Sequence, residues 1–321
     1  MWRTGLILGF CWACGWLMGC QSVDPPSIRV ALSQWPAYEL FRLAAFADSS
    51  QSTQNLHFVE FLAPLDARRA YELGQVDVLC CTIGEFLQIQ DVGDHDPVIV
   101  YVIDSSIGGD MLLAPDTLTS LQGLRGLRVG MEPGTVSEIL LLAALKDAGL
   151  ELKDVQHVPL HLQLQRGPLT GSGLDAVVCF PPYSTALLKL GGLKSIYDSS
   201  QLSFLLLDVL VVERRLLEQR PEDLRSLVTI HQQAIALQKT RPQWADSLMA
   251  GWERVTVADL EASFELLALH DLPAQRRLLN GPVQHSLSVA RALSHAQGLL
   301  KRSAPGNPVS SQLVQQEENK P

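Results

Sequence analysis

The chain has 321 residues, 47% of them hydrophobic and 6% aromatic, with 25 Lys and Arg against 34 Asp and Glu for a formal charge of −9. Its acidity and its lack of any basic cluster exclude nucleic acid as a natural partner. Its length exceeds one ordinary hydrophobic core, so two lobes are expected.

In chain order, Arg3 precedes an apolar run from Gly5 to Met18. That run is shorter than the ~20 residues that span a bilayer, and it suits the apolar region of a secretory signal. It ends Leu17-Met18-Gly19-Cys20, which resembles the lipobox of bacterial lipoproteins. The resemblance implies that residues 1–19 are removed as a signal peptide and that Cys20 is diacylated. Two or three acyl chains give stable membrane anchoring where one does not. An ordinary signal peptide and an uncleaved anchor are the alternatives. Gln21 and Ser22 follow, with no Asp after the Cys, so the choice of membrane leaflet stays open. Residues 20–27, with Pro25-Pro26, read as a tether.

From Ile28 the pattern alternates. Strands are predicted at 28–32, 56–61, 76–80 and 98–103, with helices at 37–47, 64–73 and 83–89. The rhythm repeats with strands at 111–114, 127–131, 155–158, 175–180 and 207–212, and helices at 135–148 and 182–190. Beyond Arg214 the pattern is helical to Lys301, and the polar stretch 303–321 is expected to be disordered. Strands alternating with helices imply parallel sheets, and two such series imply two α/β lobes. Cys80, Cys81 and Cys179 have no metal-ligand spacing and read as buried thiols. A bridge from Cys80 or Cys81 to Cys179 is left open.

Ligands of open α/β sheets bind beyond the carboxyl ends of strands, so the residues there are informative. They are Ser33 to Tyr38, Thr82 to Glu85, Asp104 to Asp110, Glu132 to Ser137, Phe180 to Tyr183, and Tyr197 to Ser200. Aromatic rings, hydroxyls and carboxylates recur in them, which is the makeup of a small-molecule cleft. Trp35, Tyr38, Thr82, Ser106, Asp110, Glu132, Thr135 and Tyr183 are the candidate ligand-binding residues. Plainer roles compete at several positions: packing for Trp35, turn capping for Asp104 and Asp110, helix-dipole compensation for Glu85, an N-cap for Thr135, and a hydrophobic turn for Phe180, Pro182 and Tyr183. His157 and His161 match no metal or acid–base spacing. No metal, cofactor or catalytic residue is expected.

The order of these segments resembles the solute-binding proteins of ABC importers for nitrate, sulfonates, taurine and thiamine-precursor pyrimidines. Three stretches carry it: Trp35-Pro36-x-Tyr38; Ser106-x-Gly108-x-Asp110; and Leu121-x-Gly123-Leu124-x-Gly126-x-x-Val129-Gly130 leading to Glu132-Pro133-Gly134-Thr135. The resemblance implies the type II periplasmic-binding fold, two lobes that are each a mostly parallel sheet flanked by helices. One lobe would take 28–104 plus 206–302 and the other 105–205. It also implies a monomer that hands its solute to a membrane permease, with partnership to a membrane sensor as the alternative. Two positions depart from the family: Ile107, where an amide is common, and Pro181, where a Glu is common. The strand-end inventory is acidic, so a cationic amine or nitrogen heterocycle is the expected solute, with sulfonate or nitrate second.

Overall fold

The computed structural model describes residues 26–47, 53–162, 169–171, 173–302 and 306–315. The signal segment and Cys20 therefore lie outside the described residues. Among the described residues eleven strands form two sheets: β1 Ile28–Leu32, β2 Leu56–Glu60, β3 Val78–Thr82, β4 Pro97–Ser106, β5 Met111–Pro115, β6 Arg128–Met131, β7 Gln156–Pro159, β8 Ala176–Cys179, β9 Leu193–Asp198, β10 Leu206–Glu213 and β11 Leu267–Leu269. The first sheet runs β11-β4-β10-β3-β1-β2 and the second β7-β6-β8-β5-β9. Each is mixed. β1, β2, β3 and β4 share one direction, while β10 and β11 run against them. In the second sheet only β5 opposes the rest. The reversed strands β5 and β10 are those that receive the chain as it passes from one lobe to the other.

The uninterrupted apolar run of β4 is buried along its whole length, as its lack of alternation requires. Helix Val136–Asp147 is apolar on nearly every side. It packs on the second sheet and also against helices Ile83–Val92 and Pro282–Ala296 of the first lobe, so no face is left to solvent. Cys80, Cys81 and Cys179 are free and buried.

Two expectations are corrected. The helical reading through Leu269 stops at Phe264, and Leu267–Leu269 pairs as β11 with the outer edge of β4. The stretch expected to be disordered is packed over 306–315. Ile99 of β4 forms a parallel bridge opposite Val309, donating to the Pro308 carbonyl and accepting the Ser310 amide, and Val309, Leu313 and Val314 are buried. These apolar residues, scattered in a polar sequence, cover the part of the β4 edge that β11 leaves open.

The two crossings between lobes are short and lie side by side. Ser106, the last residue of β4, is in register with Leu206, the first of β10. Across the gap Met111 of β5 is in register with Asp198 of β9. The Ser199 hydroxyl stitches the crossings together, at 2.8 Å from the Ser106 hydroxyl and accepting the Gly108 amide at 2.7 Å.

Candidate ligand-binding cleft

Between the lobes lies a narrow cleft with a free volume of about 30 Å³, well below the several hundred Å³ of an open ligand pocket. From the first lobe it is lined by Ser33, Gln34, Trp35 and Tyr38 after β1, by Pro64, by Cys81, Thr82 and Glu85 around the end of β3, and by Asp208 of β10. Asp110, Glu132, Thr135, Val136 and Phe180 face them from the second. Six of the eight candidate residues thus meet in one cavity. Ser106 and Tyr183 are not among its lining residues. Ser106 belongs to the stitched crossing, where its hydroxyl accepts the Asp110 amide at 3.1 Å. Tyr183 stands at the mouth, and its hydroxyl donates to Gln34 Oε1 at 2.6 Å.

Local chemistry fixes each wall. Pro36 starts a short 3-10 turn that turns Trp35 and Tyr38 inward, both buried. The Trp35 indole donates to Asp104 Oδ2 at 2.9 Å and meets Phe180 edge-on, with ring centroids 5.7 Å apart. The Tyr38 hydroxyl donates to Asp208 Oδ1. Thr82 and Glu85 form a reciprocal capping box on helix Ile83–Val92. Glu85 Oε2 accepts the Thr82 amide at 3.0 Å and also the Thr82 hydroxyl. Thr135 caps the helix that opens the other wall, accepting the Ser137 amide at 3.1 Å and donating to the Glu132 carbonyl at 2.9 Å.

The electrostatics are one-sided. Glu85, Asp104, Asp110, Glu132 and Asp208 are all at most 4% exposed. Burial disfavours their charged forms. It pushes Asp110 and Glu132 up to about 7, with the nearby Glu85 charge adding to each. Asp104 is raised by burial and by Asp110, and Asp208 by burial and by Asp104. Glu85 is raised by burial, against the opposing pull of its Thr82 bonds and of Arg68. Of these five carboxylates, three carry a buried oxygen that accepts no hydrogen bond among the described residues: Glu85 Oε1, Asp104 Oδ1 and Glu132 Oε2. A buried acceptor left unpaired is costly, so these atoms mark where a donor is missing. Arg29 and Arg42 do not supply it, because Arg29 pairs with Asp77 and Arg42 with Glu39 and Glu60. Among the described residues no group of three or more His, Cys, Asp or Glu could hold a metal ion. His157 and His161 are exposed.

Sequence reasoning missed Asp208 and Arg68. Asp208 lies near the start of β10, and because β10 is reversed its first residues, not its last, reach the cleft. Arg68 comes from mid-helix Pro64–Glu72, where no strand-end signal points to it.

Comparison with known proteins agrees with this architecture. The NMT1/THI5 like family model matches residues 55–245. An Escherichia coli (strain K12) protein described as aliphatic sulfonates-binding is 27% identical over 151 residues, which are 46% of this chain and 47% of that one. A binding protein of Brucella abortus (strain 2308) is 22% identical over 161 residues, 49% of this chain and 50% of its own. The chain thus spans about half the length of the curated relatives it matches. Among solved structures, the alkanesulfonate-binding protein SsuA from Xanthomonas axonopodis pv. citri, bound to MOPS, superposes with a TM-score of 0.74 at 19% identity, covering 88% of this chain and 97% of that one. The periplasmic aliphatic sulphonate binding protein SsuA from Escherichia coli gives 0.71 at 19% identity, covering 88% and 90%. Identities this low speak to the fold, which is that of the periplasmic binding proteins. The family model spans more than half of the sequence, and the chain belongs to the NMT1/THI5-like family.

Proposed function

We propose that this chain is an exported solute-binding protein, tethered through an acylated Cys20, that closes its lobes on a small nitrogen-containing cation or heterocycle and delivers it to an ABC importer. One observation carries the choice of solute. Glu85 from the first lobe and Glu132 from the second both line the cavity, and each carries a buried oxygen without a donor. The Glu85 charge resists ionisation of Glu132 across the cleft, so without a solute the two walls work against closure. An N–H-bearing cation between them replaces that repulsion with two attractions, which are strong in a low-dielectric site. Trp35, Tyr38 and Phe180 offer ring faces and edges to its apolar part. Such a solute binds the closed arrangement better than the open one, which is what drives closure.

A binder suits the site better than an enzyme does. Cys81 is the one thiol lining the cleft, and burial with nearby Glu85 holds it protonated, the opposite of an activated nucleophile.

A sulfonate is the second reading, favoured by the names of the relatives and by the amides at the start of helix Val136–Asp147. Native mass spectrometry of protein purified without refolding should reveal a carried nitrogenous solute. A thermal-shift panel of amines, pyrimidines, sulfonates and nitrate then ranks the classes. Stabilisation by an amine or heterocycle that is lost in Glu132→Gln is the expected result. Stabilisation by a sulfonate alone overturns it.

A further inference from the structure

At one place where the lobes touch, the contact is backbone to backbone. Gly84 stands in the first turn of helix Ile83–Val92 in the first lobe. A Cβ placed on it would lie 2.5 Å from the carbonyl carbon of Thr135, 2.8 Å from that residue's oxygen and 2.7 Å from the amide nitrogen of Val136, all in the second lobe. Contacts of that length to backbone cannot be relieved by turning a side chain. Gly84 is in a helix and has no need of a left-handed conformation, so its own backbone does not ask for glycine. Alanine there would favour the helix.

The contact also brings two helix starts together, and both are positive ends. Glu85 answers one through its bonds to Thr82. Glu138 answers the other by accepting the Gly134 amide at 2.7 Å. The electrostatic obstacle to the approach is met by carboxylates, and the steric one is met by the absence of a side chain at 84.

We propose that Gly84 is the residue that sets how far the lobes close: as glycine it lets the two helix starts meet, and any side chain there wedges the cleft open. This rests on the reading of the chain as a lobe-closing binder. It predicts effects of opposite sign in the two places, with the helix strengthened and the closed arrangement weakened. Gly84→Ala therefore serves as the test. Gly251→Ala is the control, because a methyl added there meets nothing within 4 Å.

The decisive measurement needs no solute. Small-angle scattering of Gly84→Ala should show a larger radius of gyration than wild type and Gly251→Ala, and backbone amide exchange over residues 135–137 should be faster. Far-UV circular dichroism should be unchanged. Once a solute is identified, its affinity should fall at least tenfold, or about 1.4 kcal/mol. Scattering and exchange identical to wild type would overturn the proposal. So would loss of helical signal, since that would place the role of Gly84 inside its own lobe. Because the scattering result is independent of any solute, a wrong solute class leaves it standing.

Discussion

The Tyr183 hydroxyl and the Gln34 side chain, 2.6 Å apart, tie the second lobe to the first at the mouth of the cleft. Gln34 passes the link on, its amide reaching the Glu253 carbonyl at 3.4 Å. On the same helix as Tyr183, Lys189 pairs with Asp259. Helix Tyr183–Lys189 thus works as a clasp over one side of the opening.

Tyr183→Phe removes the donor and keeps the ring. A hydrogen bond of this kind contributes about 0.5–1.5 kcal/mol, which corresponds to a several-fold faster release of bound solute. Stopped-flow dissociation should show this faster release, with the association rate little changed. An unchanged release rate would mean that the clasp contributes nothing to retention.

Trp35→Phe tests a different relationship. The indole is the donor to Asp104, whose other oxygen already lacks one. Phenylalanine leaves the whole carboxyl unpaired in the interior, so stability should fall by about 1–3 kcal/mol. Asp104→Asn in the same background should recover part of it, since a neutral amide is cheaper to bury than a charge. Urea denaturation of the two variants is the measurement. Equal stability of Trp35→Phe and wild type would contradict the buried contact.

The pH dependence has a definite sign. Asp110 and Glu132 are held at about 7 in the fold, against ordinary values of 3.8 and 4.5. Glu39, buried near Glu253, is held at about 8 against 4.5. The folded state therefore keeps protons that the unfolded chain has released. Their contribution is complete below about pH 4 and is lost as pH rises through 7 to 8. The solute-free protein should lose stability over that window at about 1.4 kcal/mol per pH unit for each proton retained. A cationic solute must displace the Asp110 and Glu132 protons, so its affinity should rise over the same window. Thermal unfolding from pH 5 to 9, with and without solute, reads both. An affinity that falls with rising pH would contradict a cationic ligand.

At the N-terminus, fatty-acid probe labelling should appear on the expressed protein and vanish in Cys20→Ala. Labelling that persists in that variant would place the anchor elsewhere or remove it.

Much of this was legible in the sequence because strands buried on both faces announce themselves as apolar runs and because their ends carry the polar residues. Trp35, Tyr38, Thr82, Asp110, Glu132 and Thr135 reach the cleft for that reason. The same rule fails where direction changes. Asp208 sits at the start of a reversed strand, and no local pattern distinguishes β10 from its neighbours. Ser106 ends a strand that runs on into a crossing, so its hydroxyl is consumed by Ser199. β11 and the 306–315 segment are too short to show a period, and only the exposed edge of β4 explains why they pair.

The doubled crossing has a mechanical consequence. Two chains, fixed in register at Ser106–Leu206 on one side and at Met111–Asp198 on the other, behave like the two straps of a single door hinge. Twisting or sliding of one lobe on the other would shear both ladders, whereas swinging about the line through the straps disturbs neither. The motion left to the molecule is then nearly one-dimensional, and a single angle distinguishes an open cleft from a closed one.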